Sequence, residues 1–365
     1  MVLFAVVGEL GCHSEDTQIF TPNGIKTFDE LNTGDFVFGV DEKGIFKKTQ
    51  ILDKFQYDYN GKMYNFKSLR YDFLVTPNHK MIFKKWWRKQ YEYTEAQKTN
   101  VCGNFLSQFY SEGKRKEMFN IYDYIVGKKN NIKEIPTDDF LKLTAWYISD
   151  GNIVGAGKNL FYVQIRKPKH IKEIEELVKS MGFSYGIYEK SKIVIFERDL
   201  GSYFYQRCGR YSPNKRIPDE IMELNREHLI HLLKTLFKGD GCYNHTYYTT
   251  SEKLMKDFMI LCYRLGFQPR LTKRFGRGGI IRGKKIKSER MCYEIHVSFS
   301  PRNYFNPYGD KRYGTKNLFT IDYNGKVWCF KTETDNFFTI RNGKIGLSGN
   351  SGKTLSLTYL AWKGI

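Results

Sequence analysis

No stretch of the chain holds the roughly eighteen consecutive apolar residues that a membrane-spanning helix needs, so no such helix is expected. The apolar run Val2–Val7 has no basic segment before it, which argues against a signal peptide. Seven cysteines are scattered without a C-x-x-C pair, which argues against a disulfide framework and against a zinc site. Acidic residues are few beside basic ones, 39 against 59, leaving a formal net charge of +20. Such a field attracts polyanions, nucleic acid first; a merely soluble basic surface is the plainer alternative. These absences lead to the expectation of a reducing, cytoplasmic location, no membrane partner, and a free thiol at Cys12.

What is present suits a folded protein. At 365 residues the chain is long enough for two or three cores. Its 41% hydrophobic content, with 28 Phe and 26 Tyr, argues for a β-containing globular structure over disorder.

The two ends complete each other. Val2–Val7 leads into Gly8-Glu9-Leu10-Gly11, and Ser351-Gly352-Lys353-Thr354 leads into the apolar Leu355–Trp362. Joined, Gly8–Gly11 and Ser351–Thr354 spell G-x-x-x-x-G-K-T with a strand before and a helix after. A nucleotide-cradling loop needs that context: backbone N–H groups at a helix N-terminus, a lysine for the outer phosphates and a hydroxyl for Mg²⁺. The plainer alternative is an ordinary Gly-Asn-Ser-Gly turn, but the match needs the right residues on both sides of one junction. Everything from Cys12 to Asn350 interrupts the loop, so the chain reads as a precursor that must cut itself out. Gly8, Gly352, Lys353 and Thr354 would bind nucleotide only once joined.

After Cys12, short segments broken by Asn-Gly, Thr-Gly-Asp and Glu-Lys-Gly turns run to Arg70–Phe83, and further strand-like segments follow from about residue 316. Closely spaced strands and polar turns predict an all-β module split by a long insertion. Cys12 with Asp16-Thr17, Thr76-Pro77-Asn78-His79, Val327-Trp328-Cys329-Phe330, Asn336-Phe337 and Asn350 before Ser351 together resemble the ordered motifs of inteins. The resemblance implies the all-β Hint horseshoe and self-catalysed protein splicing, with no cofactor. It departs at two places: Gly349 precedes Asn350 where most inteins carry histidine, and Asp335 stands where a second histidine is usual. Both histidines are thought to assist asparagine cyclisation, so splicing is expected to be slow or conditional.

The chemistry accounts for these residue types. A thiol at Cys12 can attack the Gly11 carbonyl and turn an amide into a thioester. Amides resist that step, and His79, with Thr76 beside it, is implied as the donor to the scissile nitrogen. Ser351 would take over the acyl group. Asn350 would cyclise on its own backbone carbonyl and release the intervening segment. Cys329 sits where many inteins have Asp; a proton shuttle, a redox-sensitive brake, a side nucleophile and simple packing all remain open.

The central segment repeats itself. Leu143–Asp150-Gly151 and Leu232–Asp240-Gly241 each read as a helix ending in Asp-Gly. Each is followed by a strand, a helix closing on Gly-Phe (His170–Phe183 and Ser251–Phe267), and more strands. Small residues in the two motifs would let the helices pack closely and set Asp150 and Asp240 side by side, a site for Mg²⁺ that can activate water against a phosphodiester. A glycine that merely caps each helix is the plainer reading of either motif alone. The repeat resembles the LAGLIDADG homing endonucleases, and Lys215-Arg216-Ile217-Pro218 resembles their K-x-I-P segment, implying an electrostatic or water-orienting role for Lys215. Basic stretches interleaved with aromatics, Lys84–Tyr93 and Arg270–Lys287, suit contact with double-stranded DNA.

The expected organisation is an extein fragment at 1–11, splicing-domain parts at 12–120 and 317–350, an α+β endonuclease domain at 121–316, and a second extein fragment at 351–365. A DNA-recognition extension would begin near residue 84. The chain would act as a monomer on its own flanks and on DNA carrying the uninterrupted site. Two other classes compete: a basic DNA-binding protein whose nuclease-like repeat is inactive, and a nucleotide-binding ATPase with a regulatory insertion.

Overall fold

The computed structural model describes residues 11–349, apart from 108, 110, 126–133, 156–160, 276–278, 282–283, 287–289, 300–303 and 310–315. It is mostly β with some helices, and none of the described helices is long and apolar enough to cross a membrane. The chain divides into two compact units. One holds the described residues of Met1–Ser111, Gly266–Arg270 and Ser298–Ile365; the other holds those of Glu112–Leu265 and Leu271–Val297. These bounds differ from the expected 120 and 316 for local reasons. Met118–Asn120 pairs with Glu134–Pro136 in the second unit, whereas Tyr304–Phe305 pairs with Gly103–Phe105 in the first.

In the first unit a long antiparallel ribbon joins Phe46–Lys67 to Leu318–Thr332, with Leu318 opposite Phe66 and Phe330 opposite Lys54. Its outer part is half exposed, while Val327, Trp328, Cys329 and Phe330 are buried in succession. That run is buried because Trp328 and Phe330 enter one core cluster while Val327 and Cys329 enter another, and a two-residue strand, His13–Ser14, pairs beside it. His13 pairs with Trp328 on one side and with Val75 of Asp72–Val75 on the other. A continuous apolar run without alternation is the pattern of a strand covered on both faces. Ile19, Phe28, Leu31, Val37, Ile51, Trp328, Phe330 and Phe337 pack into one cluster beside it. Each such side chain contributes roughly 1.5–3 kcal/mol when fully buried, so this cluster anchors the strand that carries Trp328 and Phe330.

A hairpin of Asn336–Arg341 and Lys344–Gly349 ends the described chain. Its two-residue turn, Asn342-Gly343, has φ of 50° and 70°, the left-handed pair that an Asn-Gly hairpin turn requires. The fully buried Asp72 carboxylate clamps this turn, accepting from Arg341 Nη1 at 2.5 Å and Asn342 Nδ2 at 3.0 Å. Arg341 Nε also donates to Asp16 Oδ2 at 2.9 Å. The hairpin is thereby tied to the loop that follows Ser14. Removing either partner would strand a buried charge.

In the second unit the helices Thr137–Asp150 and Arg226–Asp240 pack against each other. Close approach is enforced at their C-terminal ends, where a Cβ on Gly239 would fall 2.1 Å from Ser149 Oγ. Asn225 caps the second of these helices by accepting from His228 N–H at 3.1 Å. After the first comes an antiparallel sheet in the order Gly151–Val154, Tyr162–Ile165, Lys192–Ile195, Tyr185–Tyr188, crossed by the helix Ile171–Ser180. After the second, Thr246–Thr249 pairs with Met291–Ser298, and Glu252–Arg264 is the matching helix, capped by Ser251. The internal repeat legible in the sequence is a repeat of structure.

Candidate functional site

Cys12 is fully buried, and the turn Thr76-Pro77-Asn78-His79 wraps the peptide bond before it. Cys12 N–H donates to Thr76 Oγ1 at 2.8 Å, and the Cys12 carbonyl accepts from Thr76 N–H at 2.9 Å. The Thr76 hydroxyl donates onward to Asn78 Oδ1 at 2.9 Å, and His79 N–H closes the turn on the Thr76 carbonyl at 3.1 Å. Gly11 rests on this turn so closely that a Cβ there would lie 2.3 Å from His79 Cα. Strand pairing creates the arrangement: His13 lies opposite Val75, so Cys12 meets the turn that follows Val75. Thr76 and His79 therefore stand at Cys12, as does Cys329. Asn350, Ser351, Gly8, Gly352, Lys353 and Thr354 lie outside the described residues.

Cys329 follows Trp328, the partner of His13, and clusters with Cys12, Met63, Leu74 and Val327. It is the first influence on the proton affinity of the Cys12 thiol. A hydrogen bond between the two thiols, followed by burial and by the charge Cys329 would carry if ionised, pushes the Cys12 thiol far above its ordinary range; the Tyr57 hydroxyl opposes this. In this state Cys12 is a thiol and not a thiolate. A reactive cysteine needs the ionised form, and these surroundings oppose ionisation.

His79 is held neutral. Burial lowers its pKa to about 4 against an ordinary 6.5, with the approach of the Gly11 backbone opposing and Lys80 assisting. His13 is lowered in the same direction, by burial first and then by His79. The rings meet edge to face with centroids 4.4 Å apart, and Ser348 Oγ lies 2.7 Å from His79 Nε2 and 2.9 Å from His13 Nε2. His13, Ser348, Asn78 and Tyr57 are members of the site that sequence reasoning missed. His13 adjoins Cys12 and offered a signal; Ser348 offered none, because only the hairpin brings it back.

The buried neutral rings make the first unit acid-sensitive. Below pH 6.5 the unfolded chain binds protons that the folded rings refuse, so the contribution is complete above 6.5 and is lost as pH falls toward 4. For His79 alone the loss at pH 5 is about 2 kcal/mol. Hydrogen exchange of the Lys344–Gly349 amides, corrected for intrinsic rate, is expected to show lower protection at pH 5 than at pH 7.5. The difference should shrink in His79→Asn; an unchanged difference would refute the assignment.

Gly349 and Asp335, where histidines were expected from the resemblance, have physical reasons to differ. A Cβ on Gly349 would meet the Lys80 carbonyl oxygen at 2.5 Å and the Tyr93 ring at 2.8 Å. Asp335 adopts φ of 55°, and its carbonyl accepts the Tyr93 hydroxyl at 3.1 Å. Tyr93 thus covers this end of the hairpin. Gly349→His is expected to cost roughly 1–3 kcal/mol through overpacking. Thermal unfolding should show a lowered midpoint that Tyr93→Ala restores only in part, since the Lys80 carbonyl remains.

In the second unit Asp150 and Asp240 end the two packed helices. Lys167 stands at both: its Nζ donates to Asp150 Oδ2 and lies 3.7 Å from Asp240 Oδ1. Burial first, then the negative charge of Asp150, raises Asp240 to about 6, with Lys167 opposing. Lys215 is buried, donates to the carbonyls of Tyr147 at 2.7 Å and Gly151 at 2.9 Å, and is lowered to about 7 by burial. A cation against the carbonyls at a helix C-terminus is favoured by the helix dipole. Lys167 was missed, although its signal was readable: the strand after an Asp-Gly returns antiparallel, with Gly151 opposite Ile165, and so brings Lys167 back to Asp150.

Among the described residues no group of three or more His, Cys, Asp or Glu side chains could hold a metal ion. Asp150 and Asp240 converge instead on one positive charge, that of Lys167. Trp86 and Trp87, 70% and 51% exposed, extend the Lys80–Lys85 strand into a basic tip. Within Arg270–Lys287, residues 276–278, 282–283 and 287 lie outside the described residues.

No family model matches the chain. It is 19% identical over 401 residues to a DNA-directed RNA polymerase subunit beta C-terminal section from Stigeoclonium helveticum, covering 94% of this chain and 36% of that protein. It is 27% identical over 115 residues to a DNA polymerase II large subunit from Thermococcus kodakarensis, covering 29% of this chain and 6% of that one. The chain spans about a third or less of the length of the curated relatives it matches. Among solved structures it is similar to a bacterial intein-like domain from Clostridium thermocellum, with 17% identity, a TM-score of 0.22, and coverage of 26% of this chain and 70% of that one. At that score the likeness is partial, and the geometry around Cys12 stands apart from it.

Proposed function

We propose that the chain is a self-splicing precursor that excises Cys12–Asn350 and joins Gly11 to Ser351. The observation that carries this is the Thr76–His79 turn wrapped around the Gly11–Cys12 bond, with a buried thiol on its far side. Thr76 Oγ1 accepts the scissile N–H and so fixes the amide. Cys12 sulfur attacks the Gly11 carbonyl, the C–N bond breaks, and the nitrogen gains one proton while the thiol loses one. The step is an isomerisation and needs no reagent. His79, neutral and adjacent, is the donor to the departing nitrogen. Ser351 oxygen then takes the acyl group from sulfur, Asn350 cyclises and frees the Ser351 amine, and an O-to-N shift leaves a peptide bond. The product restores the phosphate loop of a nucleotide-binding host. Matches confined to parts of two polymerase subunits fit an insertion carried by different hosts.

Purified chain held under reducing conditions and followed by mass spectrometry tests this. The expected products are the excised segment and a ligated peptide across Gly11-Ser351; neither ligation nor cleavage over days would refute it.

The acidic pair supports a second activity for the second unit, site-specific cleavage of duplex DNA. Asp150 and Asp240 would hold Mg²⁺, which supplies charge stabilisation and an activated water when bound. Lys167 would be displaced from the carboxylates toward a phosphate, and Lys215 would add positive potential from beneath the helix ends. The net charge of +20 suits the partner.

A further inference from the structure

His79 uses one ring nitrogen on Ser348 and leaves the other for the junction, so its tautomer decides what it can do there. Ser348 Oγ lies within hydrogen-bond distance of Nε2 on both His79 and His13, at 2.7 and 2.9 Å. All three residues are buried. A serine hydroxyl has one proton to give, so it donates to one ring and accepts from the other. Neither Nδ1 atom forms a hydrogen bond of regular geometry among the described residues.

Two arrangements satisfy the chain. In one, His79 Nε2–H donates to Ser348 and Ser348 donates to His13. His13 then carries its proton on Nδ1, a buried N–H in a ring packed against Trp328 and Phe337, and His79 presents a bare lone pair. In the other, His13 Nε2–H donates to Ser348, Ser348 donates to His79 Nε2, and the His79 proton sits on Nδ1. The Gly11 backbone approaches the His79 ring in a way that favours added protons, and with Nε2 taken by Ser348, Nδ1 is the nitrogen left to face it. Either arrangement places one buried N–H on an Nδ1 without a regular partner. The second is selected because Gly11 lies against His79, with its Cβ position 2.3 Å from His79 Cα, so that only there does the N–H face the junction backbone.

We propose that His13, acting through Ser348, is a positioning residue that holds His79 as its Nδ1–H tautomer, a donor turned toward the Gly11–Cys12 bond. The proposal rests on the splicing reading for its purpose, but not for its test. Without the relay, His79 divides between tautomers, and the Nε2–H form offers the junction no proton.

The tautomer is read by ¹⁵N NMR of the imidazole rings in full-length Cys12→Ala chain, which cannot begin splicing. Protonated Nδ1 and unprotonated Nε2 are expected on His79. Ser348→Ala and His13→Leu should shift His79 toward Nε2–H. Ser348→Thr, which keeps the hydroxyl, and His13→Gln, which keeps an N–H donor, should restore the original signature. In Cys12-containing chain, thiol-induced cleavage at Gly11 should slow about tenfold to a hundredfold in His13→Leu and Ser348→Ala, and recover to within about threefold in the two conservative variants. Protection of the Lys344–Gly349 amides verifies that each variant is folded. A wild-type His79 protonated on Nε2, or a tautomer indifferent to Ser348→Ala, would overturn the proposal even if splicing proceeds. If splicing fails outright, the tautomer measurement still decides.

Discussion

Cys12→Ala is expected to abolish cleavage after Gly11 and all ligation, while leaving release at the downstream junction open through Asn350. The size of the effect follows from the chemistry. Uncatalysed amide cleavage is slow enough that no other group in the site can replace an attacking sulfur, and the buried surroundings of Cys12 admit little water. Thr76→Val should act on the same step by removing the acceptor that holds Cys12 N–H at 2.8 Å. Cys329→Ala separates nucleophilicity from positioning, because it removes the hydrogen bond that contributes most to keeping Cys12 protonated. Alkylation of Cys12 and thiol-induced cleavage should both accelerate in that variant. Slower cleavage with faster alkylation would instead make Cys329 a participant in proton movement. Mass spectrometry of the junction peptides distinguishes these outcomes, and ligation persisting in Cys12→Ala would end the proposed mechanism.

Asp150→Asn and Asp240→Asn are each expected to remove Mg²⁺-dependent cleavage of DNA carrying the uninterrupted junction, by a factor on the order of a thousand or more. The substitutions are isosteric, so the helix contact of Gly239 with Ser149 is kept and binding without cutting should survive. The raised pKa of Asp240, about 6, adds a pH signature. A protonated carboxyl is a poor metal ligand, so cleavage should fall toward tenfold per pH unit below 6. In Asp150→Asn the second cause of that rise is gone, and metal affinity should lose part of its pH dependence. Nicking assays with gel-shift controls read the cleavage effects, and calorimetric titration with Mg²⁺ at several pH values reads the affinity. Cleavage that survives the double substitution would move the site elsewhere; a wild-type chain that binds DNA and never cuts it would favour a binding scaffold.

Much of the local structure was legible in the sequence. The Asp-Gly helix ends were expected and end the helices Thr137–Asp150 and Arg226–Asp240. The Asn-Gly break expected soon after Cys12 is the turn between the paired strands Gln18–Thr21 and Gly24–Lys26. These features depend on short-range stereochemistry, which a dozen residues encode. The grouping of Thr76, His79 and Cys329 with Cys12 was expected only through a family resemblance, because nothing in the spacing of residues 12, 76 and 329 makes them neighbours.

Composition, turn chemistry and the repeat were determined by the sequence alone, since backbone preferences, hydrophobic periodicity and summed charge need no distant partner. Tertiary structure decided the rest. Strand His13–Ser14 inserts between Val327–Trp328 and Val75, and that insertion buries the thiol, pairs it with Cys329, and draws His13, Ser348 and His79 into one hydrogen-bonded chain. The same is true of Gly349, whose lack of a side chain is explained by Tyr93 and the Lys80 carbonyl above it. Proton affinity and reactivity depend on desolvation and on neighbours a few ångströms away, and those neighbours come from segments tens to hundreds of residues apart.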